Sequence, residues 1–590
     1  MYKITLHNYL LNWKSLQPDT EHFEHLAMKK IVINSDVFCT VQARLYNGLS
    51  LFLKTKAQVP LIRIKSPDNS AYLTFFKKML ISIINQKKTK PSRFYEEYYE
   101  KVNNWPGGEA TPSQNTHIVN DERIYQAGWI ENEALFGCVR IHHSEISLSP
   151  GLVHQSNGGV LILSLRTLLE QPFMWRRLKK ILVNQRYEWN TLDHTRSLPV
   201  EIPSIPMHFR LILVGEEDAL AEFEHIDPEL TYASLYSEFE NNIYLSDDIA
   251  FINWKRWVQK IADSLTCPVL SPDFWPILIQ EAVRWTGDHK ILPLNLEWIR
   301  YQLQESELYC QDAIIKGEDL TNALNTRLWR EGFLLEKMLH DIVHNQIHIE
   351  TDGEKIGQIN ALSVIECPGH PRIFGEPTRI SCIVHFGDRG LTDVERQVEL
   401  AGNLHAKGIM ILESWLMTEL KLDHTMPFSS SLVFEQSYEE IDGDSASLAS
   451  LCALISALAL KPINQKIAVT GSIDQLGQVQ SIGKVNEKIE GFFRLCRKRT
   501  LNGTQGVIIP SSNIQNLSLH QEVINAVRNG KFSIWSVSTI DEALILLTGI
   551  EWKKNGKPCL LRSIQDRITK SSQYNTREYM SLLRWFKWLK

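Results

Sequence analysis

The sequence predicts a multidomain α/β protein, in which a domain with a mainly parallel sheet precedes a helical region and an α+β domain. Two apolar runs, VLILSL after Gly158-Gly159 and FRLILV at residues 209–214, are typical of strands buried on both faces, and helical patterns alternate with them. From about residue 253 the apolar spacing is helical, and from about residue 346 short strands return among helices. With 590 residues, the chain has room for about three or four domains.

The elements are expected in four parts of the chain. Residues 1–252 form the α/β domain, with a strand at 60–64, a helix at 73–84, and an insertion or loop at 86–118, where the chain is polar and broken by proline and glycine. Residues 253–345 are helical and end in a helix over about 320–345, and residues 346–550 form the α+β domain. Residues 551–590 hold ten Lys and Arg against three Asp and Glu, which predicts an appended basic tail.

The composition excludes several classes of protein. Apolar residues make up 43% and charged residues 22%, as in globular proteins, and the net charge of −5 gives no reason to expect nucleic acid or an anionic membrane as a partner. No apolar stretch follows a basic head at the start, and the most apolar stretch (446–460) is shorter than a membrane span, so neither a signal peptide nor an anchor is expected. Nine scattered cysteines without C-x-x-C favour a reducing cytoplasm and no metal site.

Ser445 is a candidate nucleophile. It lies in EIDGDSASLASLCALISALAL (440–460), where a predicted strand, SLVFEQSYE, ends in Asp442-Gly443-Asp444-Ser445 and a strongly apolar helix begins. The unpaired N–H groups and the dipole of a helix N-terminus favour negative charge, which an acyl-transfer oxyanion requires. Taken alone, Ser445 is more simply a residue that caps the helix, because Asp-Gly-Asp-Ser is also good capping chemistry.

Lys488 is a candidate general base. It lies in GKVNEKIEGFFRLCRKR (483–499), a predicted helix in which it falls inside the apolar stripe, between the directions of Phe492 and Leu495. A lysine in a dry site loses proton affinity and can then accept a proton near neutral pH. The alternative is a lysine that reaches solvent from the edge of the stripe.

Thr470 is a candidate for holding that lysine in place. It lies 25 residues after Ser445 in IAVTGSIDQLGQVQSIG (467–483), a predicted hairpin that leads into the lysine helix, and Lys488 lies 43 residues after Ser445. A hydroxyl beside a neutral amine can fix its orientation, although threonine is also ordinary in a strand. No G-x-S-x-G surrounds Ser445, and His405, 40 residues upstream, is given no role.

These segments together resemble the proteolytic domain of Lon peptidases, most closely the archaeal-type branch. The resemblance rests on DGDSAS, VTGS, GKVNEKIE and GVIIPSSNIQNL, continues upstream through ETDGEKIGQINALSV, and covers about 200 residues with the Ser-to-Lys spacing intact. It implies a serine endopeptidase with a Ser-Lys dyad, in which Ser445 is the nucleophile, Lys488 the base and Thr470 its support. It also implies that Asp442 or Asp444 shapes the nucleophile turn.

The first half resembles the AAA+ module of the same family, with a helical lid, in a degenerate form. SLSPGLVHQSNGGVLILSL is similar to the second ATPase motif, but Ser164 and Leu165 stand where Asp-Glu is expected. After the strand at 60–64 the chain reads KSPDNSAYLTFF, and no G-x-x-x-x-G-K-[ST] occurs anywhere. Without those glycines and that lysine a loop cannot wrap and neutralise phosphates. We therefore expect the fold without ATP hydrolysis, with no cofactor and without ATP binding.

A protease without ATP turnover is expected to cut unfolded proteins or flexible peptides, because folded substrates resist with roughly 5–15 kcal/mol. The family likeness implies a homo-hexameric ring, with the degenerate module as a vestibule. Two alternatives stay open: a catalytically eroded ring that acts as a scaffold or chaperone-like binder of unfolded chains, and an ATP-regulated protease.

Overall fold

A computed structural model describes ten stretches of the chain: residues 9–28, 37–54, 59–87, 123–142, 145–189, 202–386, 390–422, 426–437, 440–554 and 558–571. Most of the predicted insertion at 86–118 and the end of the predicted basic tail, 572–590, lie outside the described residues. Among the helices of the described part, none is both long and apolar enough to cross a bilayer.

The first sheet is parallel, as the two buried runs predict. Its five described strands lie in the order Ile124–Ala127, Val160–Ser164, Arg210–Gly215, Leu61–Lys65 and Leu235–Glu238. All five residues of Val160–Ser164 are buried, because helices cover both faces of the sheet. The α/β fold class expected for the first half is therefore confirmed.

Short helices and two small β pairs surround this sheet. The pairs are Cys138–His142 with Glu145–Ser149, and Arg186–Tyr187 with Ile205–Pro206. The described helices are Thr20–Met28, Val37–Val41, Ala43–Lys54, Ser70–Lys87, Asn132–Phe136, Leu152–Gln155, Leu165–Glu170, Pro172–Asn184, Glu217–Ile226 and Pro228–Ala233.

A helical region follows, and we call it the lid. Its helices are Asp248–Ser264, Phe274–Thr286, Leu296–Glu307, Gly317–Arg330 and Phe333–Val343, and its short strands pair as Asn242–Tyr244 with Ile291–Pro293 and Val269–Leu270 with Ile314–Ile315. The single helix predicted over 320–345 is wrong, because the chain turns at Glu331 and Gly332 and starts a second helix.

The second sheet is mixed and has seven described strands. Their order is Gly390–Asp393, Phe428–Glu435, Ile373–Phe386, Gln358–Glu366, Ile467–Val469, Gly506–Pro510 and Ser533–Val537, and the last four run parallel to one another. The predicted hairpin at 467–483 is present as the pair Ser472–Ile473 and Val479–Gln480; a further small pair joins Glu354–Lys355 to Ile463–Asn464.

Helices cover both faces of this sheet. They are Val394–Gln397, Asn403–Leu420, Ser447–Ala459 (the nucleophile helix), Val485–Arg499 (the lysine helix), Gln521–Arg528, Ile540–Thr548 and a helix over 560–571, with a 3-10 helix at Ser511–Asn516. Ile467 and Val469 pack with the nucleophile helix, whereas Ala468 packs with the lysine helix. Since alternate residues of a strand face opposite ways, the two helices lie on opposite faces of the sheet.

The first described residues pack on the second sheet rather than on the first. Leu11 N–H donates to Ile534 O at 2.9 Å and Ser536 N–H donates to Tyr9 O at 2.9 Å, so the segment forms an extra edge against Ser533–Val537. Leu16, in the 3-10 helix Trp13–Leu16, is fully buried in the core beneath the lysine helix. The predicted domain 1–252 therefore does not hold its own N-terminal segment.

The start of the predicted basic tail belongs to the second core. Trp552, Leu560 and Ile564 are buried together with the nucleophile helix. Arg567 Nη1 donates to Ala457 O at 2.9 Å, near the C-terminal end of that helix, and its guanidinium lies over the ring of Phe386. The boundary predicted at residue 551 therefore does not coincide with the end of this core, which continues through the helix over 560–571.

Candidate active site

The nucleophile helix, Ser447–Ala459, is buried along its whole length. Its thirteen residues are Ala, Leu, Ile, Cys and Ser, and all of them are buried, so the helix forms the centre of the domain core. Eleven residues, 436–446, separate it from the strand Phe428–Glu435. The predicted strand ends early because Gln436 takes a left-handed φ of 57°. Ser445 lies in the turn just before the helix.

Ser445 does not cap this helix. The N-cap is Ala446, which has no side-chain capping bond, and the Oγ atom of Ser445 instead accepts a hydrogen bond from Lys488 Nζ at 2.7 Å. The first helical N–H groups are already engaged: Ser447 N–H donates to Asp444 O at 3.0 Å, and Leu448 N–H donates to Gly471 O at 3.1 Å. The N–H groups of Ser447 and Leu448 are therefore not available as oxyanion donors, and the remaining candidates at the start of the helix are those of Ser445 and Ala446.

Lys488 is buried on the lysine helix, with 3% of its surface exposed. It sits among the buried apolar residues of that helix, Val485, Ile489, Phe492, Phe493 and Cys496. Burial lowers the pKa of Lys488 from 10.5 to about 8. The charge of Asp444 acts in the opposite direction and raises this pKa. The amine therefore does not reach solvent from the edge of the stripe, and a substantial fraction of it is neutral near pH 8.

Thr470 joins the two side chains. It follows the strand Ile467–Val469 and is fully buried, and because Ala468 faces the lysine helix, Thr470 two residues later faces the same way. Lys488 Nζ donates to Thr470 Oγ1 at 3.4 Å, and Thr470 Oγ1 donates to Ser445 O at 3.3 Å. The carbonyl of Ser445 also accepts from Gly471 N–H at 2.9 Å, so this strand end anchors the nucleophile turn.

The two aspartates of the turn have different partners. Asp442 Oδ1 accepts from Gly443 N–H at 2.9 Å and Leu404 N–H at 3.3 Å, which ties the turn to the helix Asn403–Leu420. Asp444 Oδ2 accepts from Ser472 Oγ at 2.7 Å, and Asp444 acts on the pKa of Lys488. Sequence reasoning missed Ser472, although it stands in the VTGS motif two residues after Thr470.

His405 belongs to another cluster. It is buried, its Nε2 lies 3.2 Å from Asp393 Oδ2, and its ring packs edge-on against Phe434. Glu395 is buried beside this pair, and burial raises its pKa. These contacts give His405 a partner other than Ser445.

The positions that would bind nucleotide in an ATPase carry other chemistry. Ser164 Oγ donates to Asp68 Oδ2 at 2.6 Å, and burial raises the pKa of Asp68. Leu165 is fully buried at the start of the helix Leu165–Glu170, and Lys65, at the end of its strand, pairs with Glu217 at 2.6 Å. A carboxylate at this place disfavours a phosphate group there, because like charges repel.

Among the described residues, no group of three or more His, Cys, Asp or Glu side chains is arranged to hold a metal ion.

Comparison with known proteins gives two family matches. Residues 117–235 match the family described as "LonB-like, AAA domain". Residues 439–548 match the family described as "Lon protease (S16) C-terminal proteolytic domain". The second match includes Ser445, Thr470 and Lys488.

Relatives that match most of this chain are also found. A protein of Escherichia coli (strain K12) named "Putative Lon protease homolog" is 46% identical over 581 residues, which cover 98% of each chain. A protein of Haemophilus influenzae with the same name is 40% identical over 577 residues, 95% of this chain and 93% of the relative. The "Archaeal Lon protease" of Pyrococcus abyssi is 26% identical over 446 residues, 72% of this chain and 41% of the relative.

Proposed function

The chain belongs to the Lon protease family, and from that membership and the geometry above we propose that it is a serine endopeptidase with a Ser445–Lys488 dyad. The observation that carries the proposal is the 2.7 Å contact between Nζ of a buried lysine and Oγ of a serine at the entrance of a buried helix. A nucleophilic hydroxyl within hydrogen-bond reach of a base, with that base held by a third group, is the arrangement that covalent catalysis requires.

The proposed reaction begins with neutral Lys488. With a pKa of about 8, roughly one tenth of the lysine is neutral at pH 7 and about half at pH 8. The amine takes the Ser445 Oγ proton while Oγ attacks the scissile carbonyl, and the resulting ammonium then protonates the leaving amine. Water, deprotonated by the same amine, attacks the acyl-enzyme; the bond between the acyl carbon and Ser445 Oγ breaks, the acid is released, and the ammonium returns its proton to Oγ. The backbone N–H groups of Ser445 and Ala446 are our candidates for stabilising the oxyanion.

Asp442, Asp444 and Thr470 support this dyad in the proposal. Asp442 holds the turn through the N–H groups of Gly443 and Leu404, and Thr470 fixes both the turn and the amine. Asp444 balances the charge of the protonated lysine, since it raises the lysine pKa that burial lowers. None of the three contributes the attacking atom.

We propose unfolded proteins or flexible peptides as the substrates, cut without ATP hydrolysis. The support is the Asp68–Ser164 contact and the buried Leu165, which replace the phosphate loop and the acidic motif. Without ATP turnover no pulling force opposes the roughly 5–15 kcal/mol that stabilise a folded substrate. We further propose a cytoplasmic homo-hexamer whose first half admits extended chain; the scattered cysteines, none of which lies in a C-x-x-C motif, agree with a reducing compartment.

The test is cleavage of unfolded casein by the purified wild type, Ser445→Ala and Lys488→Ala, each with and without ATP and Mg²⁺. We expect cleavage by the wild type alone, at the same rate with and without nucleotide. Equal cleavage by all three proteins would exclude the dyad.

Two other outcomes identify the alternatives. If the wild type binds casein but neither cleaves it nor reacts with a serine-directed acylating probe, the chain is a scaffold or chaperone-like binder. If ATP increases cleavage by the wild type, the chain is an ATP-regulated protease, and the absence of a phosphate loop does not prevent nucleotide binding.

A further inference from the structure

One part of the contact between the lid and the protease half is a short, polar line of contacts, which we call the lid seam; elsewhere Leu335, Leu339 and Ile342 of the lid pack with Leu495 of the lysine helix. On the lid side the seam comprises the end of the helix Phe274–Thr286 and the turn after it, and on the protease side the segment 515–520. Its hydrogen bonds are Gln280 Nε2 to Leu519 O (3.0 Å), Ser518 Oγ to Gln280 O (2.7 Å), Asn516 Nδ2 to Gly287 O (2.6 Å), His289 N–H to Gln515 O (2.9 Å) and His289 Nε2 to Leu517 O (2.5 Å). The seam thus fixes one loop of the protease half to one lid helix.

Arg284 extends this seam onto the lysine helix. Its Nη1 and Nη2 donate to Glu490 Oε1 at 2.6 Å and Oε2 at 2.8 Å, in a bidentate pair, and Nη1 also donates to Ser518 O at 3.2 Å. Glu490 is buried, with 3% of its side chain exposed, and Arg284 is partly buried, with 14% exposed. A planar guanidinium that binds both oxygens of a carboxylate fixes its direction as well as its charge.

Glu490 depends on this arginine. Burial alone would raise the pKa of Glu490, but the charges of Arg284, His520 and Arg494 outweigh burial and hold the pKa well below its usual range. Of these, only Arg284 forms hydrogen bonds with both oxygens; Arg494 Nη2 is 3.7 Å away and His520 Nε2 is 3.6 Å away. The other carboxyl groups whose charge acts on Arg284 are Glu487, at 3.7 Å, and Glu281 on the same lid helix.

The same turn of helix carries Lys488. Two residues before Lys488, Asn486 Nδ2 donates to Asn516 O at 2.9 Å and Asn486 Oδ1 accepts from Ser518 N–H at 2.8 Å, so the seam loop holds it. Two residues after Lys488, Glu490 is held by Arg284. The backbone at Gly375 approaches this turn so closely that a Cβ there would lie 1.9 Å from Glu487 O. The helix residues on both sides of Lys488 are therefore held by hydrogen bonds, one set from the seam loop that binds the lid and the other from Arg284 of the lid.

We propose that Arg284 is a positioning residue, through which the lid holds Lys488 against Ser445 and so regulates the reactivity of the dyad. The inference rests on the proposed Ser-Lys function. The distance over which a proton must pass is set by the helix position, and a misplacement of about 1 Å is enough to slow such a step by about a hundredfold. A lid that moved or detached would release Glu490 and the helix turn that carries the base.

The rival explanation is that Arg284 only joins two domains. An arginine of that kind would change the fraction of folded protein but not the properties of the folded site. The lid contains a matched pair for comparison: Arg327 Nη2 lies 2.7 Å from Glu305 Oε2, Arg327 is 7% exposed, and both residues lie within the lid. Loss of Arg327 therefore removes a buried lid arginine without touching the lysine helix.

The experiment measures the rate of Ser445 labelling by a fluorophosphonate probe from pH 6 to pH 10, using the full chain. The proteins are the wild type, Arg284→Ala, Arg284→Lys, the double variant Arg284→Ala with Glu490→Gln, and Arg327→Ala, with Ser445→Ala as the blank. Rates are divided by the folded fraction, measured by thermal unfolding under the same conditions. The pH midpoint reports the proton affinity of the base and is independent of how much protein is folded.

We expect Arg284→Ala to slow labelling per folded molecule by about tenfold or more, and to move the pH midpoint upward as water reaches the amine. Arg284→Lys retains the charge but not the bidentate geometry, so its labelling rate should lie between those of the wild type and Arg284→Ala. The double variant leaves no unpaired buried carboxylate, so it should recover thermal stability while labelling stays slow. Arg327→Ala should keep the wild-type midpoint and the wild-type rate per folded molecule.

If Arg284→Ala and the double variant are both labelled at the wild-type rate per folded molecule and with the wild-type pH midpoint, the proposal for Arg284 is overturned, and the proposed dyad is not. The Arg284→Lys and double variants supply the answer if Arg284→Ala does not fold. Absence of wild-type labelling at Ser445 would overturn the dyad and, with it, this inference.

Discussion

Lys488 donates a hydrogen bond to Thr470, with 3.4 Å between Nζ and Oγ1, while the hydroxyl proton of Thr470 goes to the carbonyl of Ser445. The threonine oxygen can therefore only accept from the amine. Once the lysine is neutral, an N–H bond directed at Thr470 leaves the nitrogen lone pair free to face Ser445 Oγ, which lies 2.7 Å away. The orientation of the base thus depends on one buried hydroxyl.

Replacing that hydroxyl tests its role. Thr470→Val keeps the shape of the side chain but removes the acceptor, so we expect kcat for a flexible peptide to fall by about tenfold to a hundredfold. Thr470→Ser keeps the hydroxyl and is expected to stay within about threefold of the wild type. A loss in Thr470→Ser with none in Thr470→Val would mean that packing of the methyl group, not the hydroxyl, is what matters at this fully buried position.

The pH profile of peptide cleavage should follow the lysine. Because the base must be neutral, kcat/KM is expected to rise with pH through a midpoint near 8. Asp444 raises the pKa of Lys488, so Asp444→Asn should move the midpoint to lower pH while the amide oxygen still accepts from Ser472. An unchanged or higher midpoint in the variant would contradict the proposed charge balance.

The burial of Lys488 should also lower the free energy of unfolding. Its pKa is about 8 in the folded chain and 10.5 ordinarily, so the unfolded state binds the extra proton between these values and stability rises with pH from 8 to 10.5. Below pH 8 the full cost of about 3 kcal/mol applies. Lys488→Met should therefore abolish cleavage yet raise the free energy of unfolding at pH 7 by about 1–3 kcal/mol, after the lost hydrogen bonds are subtracted.

Urea unfolding at pH 7 and pH 9 measures this effect. The stability difference between Lys488→Met and the wild type should shrink at pH 9, where the wild-type lysine is mostly neutral. Lys498→Met, on the exposed face of the same helix, is the control and should change little at either pH. A Lys488→Met protein that is less stable at both pH values would show that burial of the amine is fully compensated.

The N-terminal segment should stabilise the protease half. Leu16 is fully buried beside the lysine helix, and its carbonyl accepts from Leu519 N–H at 3.0 Å. Leu16→Ala is expected to cost about 2–4 kcal/mol in the free energy of unfolding, as large-to-small changes in cores do. Met28→Ala, where 59% of the side chain is exposed, is the comparison. Equal effects in the two variants, measured by chemical denaturation, would rule out this packing.

Local patterns in the sequence predict local structure well. The run VLILSL predicts a buried parallel strand because both faces must be apolar, and Val160–Ser164 is that strand. The position of Lys488 within an apolar stripe predicts its burial because helical spacing alone decides which side chains share a face. The pairing of Ser445 with Lys488 needed the family resemblance in addition, since neither residue alone favours a catalytic role over an ordinary structural one.

What the patterns do not contain are contacts between distant segments. Arg284 and Glu490 are 206 residues apart, and an arginine at the end of one helix gives no sign of which carboxylate it will bind. The pairing of Leu10 with Trp535 cannot be predicted from the sequence either, because a single β-bridge leaves no periodic pattern in either segment. The split of the predicted 320–345 helix at Gly332 was missed for a different reason: the apolar spacing resumes after the turn.

The pairing of Tyr9–Leu11 with the edge of the second sheet has a consequence for how a cell makes this protein. The segment leaves the ribosome more than five hundred residues before the strand Ser533–Val537 that it must pair with. At about 5–20 residues per second, that interval lasts roughly half a minute to two minutes. A nascent polypeptide therefore cannot complete the second sheet until residues 533–537 have been synthesised.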